Sequence, residues 1–214
     1  MNNLQQSGIL SLSVDYFPSI PVPVRTEVLR KSIHMLVALV PFAASLNQGI
    51  TLALLAAGTI VYTYAELLRC MGVRVVLISR LTAMASRERD LGRFVLGPVT
   101  LGIGTMLALL LYPAPAASIA IFALAFGDGL ASLVGKLFGR IRIPHTGGKT
   151  ITGSAACFAA IFLSARVVGA SAETALAVAF VSTLVEMLPL KDLDNILLPL
   201  TAGTTAALFA YMQI

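Results

Sequence analysis

The chain has 214 residues, 57% of them apolar and only 12% charged, with a mean hydropathy of +0.90. Such a chain is not a soluble globular domain; it reads as an all-α, polytopic membrane helical bundle. The net charge of +5 follows membrane orientation, as the loops show, and does not mark a nucleic-acid binder.

Residues 1–24 carry no Lys or Arg, place Asp15 among apolar residues and hold Pro18, Pro21 and Pro23. A secretory signal needs a basic start and an unbroken apolar core, so this segment reads as an arm on the membrane surface. Residues 25–214 then form one membrane domain of about seven spans. A spanning helix needs roughly 20 predominantly apolar residues, and seven stretches come close: about 32–48, 50–68, 94–112, 115–135, 150–168, 173–190 and 195–213. Cys70 and Cys157 lie far apart and read as packing residues.

Fourteen of the fifteen Lys and Arg fall before the first span or in the loops after the second, fourth and sixth, and only Arg166 falls on the other side. The positive-inside rule therefore predicts a cytoplasmic N-terminus. Most acids gather at the same edge, among them Glu27, Glu66, Asp128, Glu186, Asp192 and Asp194. A carboxylate in hydrocarbon is costly, so each should face the bundle interior and have a partner.

Helical spacing turns these residues into faces. Glu27, Arg30, Lys31 and His34 share one at the head of the first span, as a site or as an interfacial anchor. Thr59, Thr63 and Glu66 share another on the second. Between spans two and three, Val73, Leu77, Leu81 and Met84 recur among arginines as a basic amphipathic helix. On the fourth span Asp128, Ser132, Gly135 and Gly139 fall on one stripe, either a functional acid beside bare backbone or a small-residue packing face. Ser182 and Glu186 pair on the sixth. Asp192, Asp194 and Asn195 follow in a turn whose oxygen ligands suit a hard cation such as Mg²⁺, or serve as helix caps.

Gly148, Lys149 and Thr150 head the fifth span. A Walker loop needs a Gly five positions earlier, where Ile143 stands, and a strand rather than a membrane helix before it. The soluble nucleoside-triphosphatase reading fails, but Lys149 and the first amides of a helix can still meet phosphate oxygens.

The run Asp128, Ala131, Gly135, Gly139, then Gly148-Lys149-Thr150-Ile151-Thr152-Gly153 closely resembles the CTP-binding signature of dolichol kinases, D-x-x-A-x-x-x-G-x-x-x-G-x8-K-K-T-x-E-G. The chain resembles the family of dolichol, polyprenol, phytol and CTP-dependent diacylglycerol kinases over residues 25–200, with Arg30, Lys31 and His34 as further matches near the start. Glu186, Pro189, Asp192 or Asp194, Asn195 and Pro199 match near the end. Gly148 stands for the first Lys of the signature and Thr152 for its Glu.

The resemblance implies a lipid-kinase domain that moves a phosphoryl group from CTP, with Mg²⁺, to a lipid alcohol such as polyprenol, phytol or diacylglycerol. It implies Asp128 as a Mg²⁺ ligand, with Glu186, Asp192 and Asp194 as further ligands or bases. Lys136, Arg140 and Lys149 would hold phosphates, and Gly135 and Gly139 would let the nucleotide approach the backbone. Gly127, Ser132, Gly148, Thr150 and Gly153 complete the expected nucleotide surface, and Glu66 or His34 would orient the lipid hydroxyl.

The shortness of the chain suggests a bacterial or archaeal plasma-membrane protein. The same progression also resembles phosphatidate cytidylyltransferases, but their closing Lys-Asp, His-Gly-Gly and Asp-Arg segment is missing after Lys191-Asp192. A transporter with an ion site in a broken helix is a third reading, disfavoured by the lack of an internal repeat.

Overall fold

The computed structural model describes residues 22–73 and 93–212, with side chains from Thr26 onward. Among these residues the elements are α1 (Val22–Met35), α2 (Val40–Cys70), α3 (Gly97–Leu111), α4 (Ala116–Phe122), α5 (Gly129–Phe138), α6 (Ile151–Val167), α7 (Ala172–Met187) and α8 (Asp194–Met212). A 3₁₀ turn, Leu36–Leu39, links α1 to α2, and a π-helical turn, Ala123–Asp128, fuses α4 to α5. No strand forms among the described residues, and an isolated bridge joins Arg142 to Thr150. The expected surface arm lies outside the described residues except for its last three, and the amphipathic segment does so except for Val73.

Punctuation in the sequence explains the breaks. Asn47 leaves helical geometry inside α2, and its side-chain oxygen accepts from the Ile50 amide at 2.9 Å, restarting the helix where the boundary between the first two spans was expected. Thr150 and Ser171 cap α6 and α7 by accepting from Gly153 and Thr174 amides at 3.1 and 3.2 Å.

Among the described residues three helices are long and apolar enough to cross a membrane: Thr26–Cys70, Ala116–Phe138 and Lys191–Met212. Gly97–Leu111 and Ile151–Val167 are apolar but shorter. The Ala116–Phe138 helix lies in the middle, where Ala120, Ala123, Leu124 and Ala125 are fully enclosed. Small side chains recur at its contacts with α6 to α8, including Ala165, Ala175, Ala179 and Ala202; they let helices approach closely where a bilayer offers no hydrophobic drive between them. On the opposite flank α2 exposes Phe42, Leu46, Leu54, Ile60 and Leu67, an apolar surface suited to lipid.

Hydroxyls within the apolar helices bond their own backbone. Thr59 and Thr63 donate to the carbonyls of Leu55 and Thr59 at 2.8 and 2.7 Å, so the polar stripe on α2 reduces to Glu66. The Asn195 amide donates to the Gly97 carbonyl at 3.2 Å and to Thr100 at 3.0 Å. Through this nitrogen it fastens the start of α8 to α3.

Candidate functional site

Where α5 ends, α6 begins, α7 ends and α8 begins, the chain encloses a cavity of about 660 Å³, with α1 closing one side. Six cationic side chains line it, Arg30, Lys31, Lys136, Arg142, Lys149 and Lys191, against four carboxylates, Glu27, Asp128, Glu186 and Asp194. The excess of two positive charges, focused by low-dielectric walls, favours an anionic ligand.

The carboxylates hold the cations in three clusters. Asp128, at the end of the π turn, accepts from the Lys31 ammonium, and both side chains are almost fully buried. His34 stands 3.4 Å from the same carboxylate and donates through Nε2 to the Leu124 carbonyl at 2.9 Å. Glu27 accepts from Arg30 and, at 2.8 Å, from Lys136 on α5. Lys149 donates to Glu186 Oε1. Burial opposes the Lys149 charge, but the Glu186 carboxylate beside it outweighs burial and raises the lysine above its ordinary value.

The loop between α5 and α6 doubles back as a short hairpin, with the Ile143 amide bonding the Lys149 carbonyl at 2.9 Å and the Ile151 amide that of Ile141 at 3.1 Å. Gly147 and Gly148 turn it at φ +70° and +100°. Only glycine takes these angles freely, which gives a backbone reason for Gly148 where the signature has Lys.

Of the expected residues, Asp128, Ser132, Gly135, Lys136, Gly139, Gly148, Lys149, Thr150, Gly153, Glu186 and Asp194 line this cavity. The glycines have a second task. A side chain on Gly135 would come within 2.9 Å of Thr150 Oγ1, and one on Gly139 within 2.5 Å of the same oxygen. Their bareness therefore also sets the close crossing of α5 and α6. Gly127 lies off the wall, packed so that a Cβ would stand 2.8 Å from Ile161. Arg140 is exposed and off the wall, and Asp192 does not line the cavity either.

His34 reaches the site only through Asp128 and Leu124. Glu66 is further removed: Arg69 bonds both its oxygens, at 2.8 and 2.7 Å, and the Val95 amide adds a third bond at 2.8 Å. It anchors the segment leading into α3. Glu66→Gln is expected to lower stability by about 2 kcal/mol, the scale of hydrogen bonds to a charged group, with turnover per folded molecule unchanged; thermal unfolding and activity of the same preparation check both.

The charged residues of the wall that sequence spacing left outside the expected site are Glu27, Arg30, Lys31, Arg142 and Lys191. The signal for the first three was present, since they share a helical face with His34.

The chain is similar to a plant kinase. A protein named probable phytol kinase, chloroplastic, from Triticum aestivum is 28% identical to it, over 86% of this chain and 68% of that protein. No protein-family model matches the chain, and no solved structure does. The expected prokaryotic plasma membrane finds no support in a relative named as chloroplastic.

The expected metal set does not converge. Among the described residues no three or more His, Cys, Asp or Glu side chains form a cluster that could hold an ion. Asp128, Glu186 and Asp194 do share the cavity, and Asp128 and Asp194 lie within electrostatic reach of each other. That donor set fits a cation bound mainly by phosphate oxygens and water, as Mg²⁺ prefers, rather than one caged by protein.

Proposed function

We propose that this protein is a lipid-alcohol kinase, moving the terminal phosphoryl group of a nucleoside triphosphate to the hydroxyl of a membrane lipid such as phytol. The observation that carries the reading is the cation-rich cavity at one end of a bundle with three helices of membrane-spanning length, in a chain similar to a probable phytol kinase. The resemblance around Asp128 and Lys149 supports CTP as donor. The charge bias of the loops supports seven spans with the N-terminus and the cavity on the cytoplasmic side.

Phosphoryl transfer depends mainly on positioning and on neutralising charge. Lys31 and Lys149 are already held on the wall by Asp128 and Glu186, so their positions are fixed before a triphosphate arrives. Arg30, Lys136 and Arg142 extend the positive surface along the α1 and α5 side. Asp128 and Asp194 would hold Mg²⁺, which when bound supplies further neutralisation across the phosphates.

The test supplies purified protein in lipid nanodiscs with phytol, polyprenol or diacylglycerol and CTP labelled at either the α or the γ phosphate. Label reaching the lipid from the γ position is the expected result. Label from the α position would mean a cytidylyltransferase, and no transfer from CTP together with transfer from ATP would move the donor assignment.

A further inference from the structure

Among the described residues, one buried carboxylate oxygen on the cavity wall has no hydrogen-bond partner. Glu186 Oε1 accepts from Lys149, but Oε2 is buried without a hydrogen bond, on a side chain only 2% exposed. Across the α6–α7 contact, Ser154 also lines the cavity, and its Oγ is likewise buried and unbonded. Natural structures rarely leave such atoms unsatisfied, because each costs about 1–3 kcal/mol and more when charged.

The chemistry of the pair narrows the ligand. An anionic oxygen repels phosphate and takes either a cation or a hydrogen from O–H or N–H; with the Lys149 ammonium already on Oε1, a neutral O–H is the partner that adds no second positive charge, and a serine hydroxyl can give or take a hydrogen. The wall beyond Glu186 continues as Leu188, Pro189 and Leu190, with Leu188 half exposed. Four of the six cations, Arg30, Lys31, Lys136 and Arg142, belong instead to α1, α5 and the loop. The cavity thus has a phosphate side and, at the end of α7, a hydrogen-bond acceptor beside an apolar rim.

We infer, on the kinase reading, that Glu186 Oε2 and Ser154 Oγ form the subsite for the acceptor alcohol. The hydroxyl donates to Glu186 Oε2, and the hydrocarbon chain leaves over Leu188 and Leu190. Lys149 joins the two sides, since its ammonium holds the other oxygen of Glu186 while facing the phosphate end. The ligand is a single hydroxyl on a long apolar chain, and Glu186 takes over the orienting task expected of Glu66 or His34.

Phytol and CTP serve as probes, in nanodiscs. Glu186→Gln is expected to raise the KM for phytol by about tenfold, the scale of one hydrogen bond to a charged group, while CTP affinity measured directly stays level or tightens because Lys149 is released. Ser154→Ala, a milder change that preserves the helix, is expected to raise the KM for phytol about threefold. A loss of CTP affinity equal to the loss of phytol affinity in Glu186→Gln, or an unchanged phytol KM in both variants, would overturn the subsite. A photoreactive diazirine analogue of phytol separates this idea from the kinase reading. Crosslinking near Leu188 by the wild-type protein, lost in Glu186→Gln, upholds the subsite even if no γ-phosphate is transferred, whereas crosslinking that is absent or indifferent to the substitution refutes it.

Discussion

Asp128→Asn is expected to reduce phosphoryl transfer by about 10²–10³-fold, the range seen when one preorganised electrostatic group is removed from a reacting centre. It is also expected to cost about 3–5 kcal/mol of stability, because it leaves a buried charge without its partner. The partner is Lys31, from a helix 97 residues earlier in the chain. Neutralising the acid strands the lysine ammonium in a site where both side chains are almost fully enclosed. Since the two losses share one substitution, a second variant must part them. Lys31→Met combined with Asp128→Asn removes both charges, and replacing a whole buried pair by neutral groups is often near neutral for stability. The double variant should therefore unfold close to the wild-type temperature and still fail to transfer label from γ-labelled CTP. Full turnover in Asp128→Asn at normal expression would remove Asp128 from the site, and recovered turnover in the double variant would make the pair purely structural.

That pair also shows what the sequence could and could not reveal. Helix positions were legible because hydropathy, prolines, glycines and loop charges punctuate the chain: the stretch expected at 94–112 is α3 at Gly97–Leu111, and that expected at 150–168 is α6 at Ile151–Val167. The cavity was legible in outline from Asp128, Lys149 and Glu186, since acids in apolar helices need a partner. Which partner each takes was not. Spacing along one helix cannot say that Lys31 reaches Asp128, nor that Lys136 reaches Glu27. The same demand for partners made Glu66 and Asn195 look like chemistry, when their bonds fasten α2 and α8 to the chain around α3. The turn of two acids and an asparagine promised a metal cage, but a helix start spreads Asp192, Asp194 and Asn195 around its axis, and of the three only Asp194 faces the cavity.

Gly153→Ala is expected to lower stability by about 1–3 kcal/mol, the usual cost of forcing atoms into a packed contact. The argument rests on what an added methyl would meet. A Cβ on Gly153 would stand 2.7 Å from the Ala131 carbonyl and 3.2 Å from the Gly135 Cα, both backbone atoms that no rotamer change can move. Relief comes only by parting α5 from α6, and parting them disturbs the cap that Thr150 makes with the Gly153 amide. Lys149 and Thr150 sit at that crossing on the cavity wall, so the lysine proposed to hold phosphate shifts with it. Misplacement by about 1 Å can cost about 10²-fold in rate, which makes a comparable fall in turnover the expected kinetic result. Gly58→Ala is the control: this exposed glycine of α2 has nothing within 4 Å of its would-be Cβ, and alanine there should stabilise the helix by up to about 1 kcal/mol. If Gly153→Ala instead unfolds at the wild-type temperature and weakens CTP binding alone, the glycine serves the nucleotide and not the helix crossing. If both fall together while Gly58→Ala does not, the close approach of α5 and α6 is what holds Lys149 in place for phosphate.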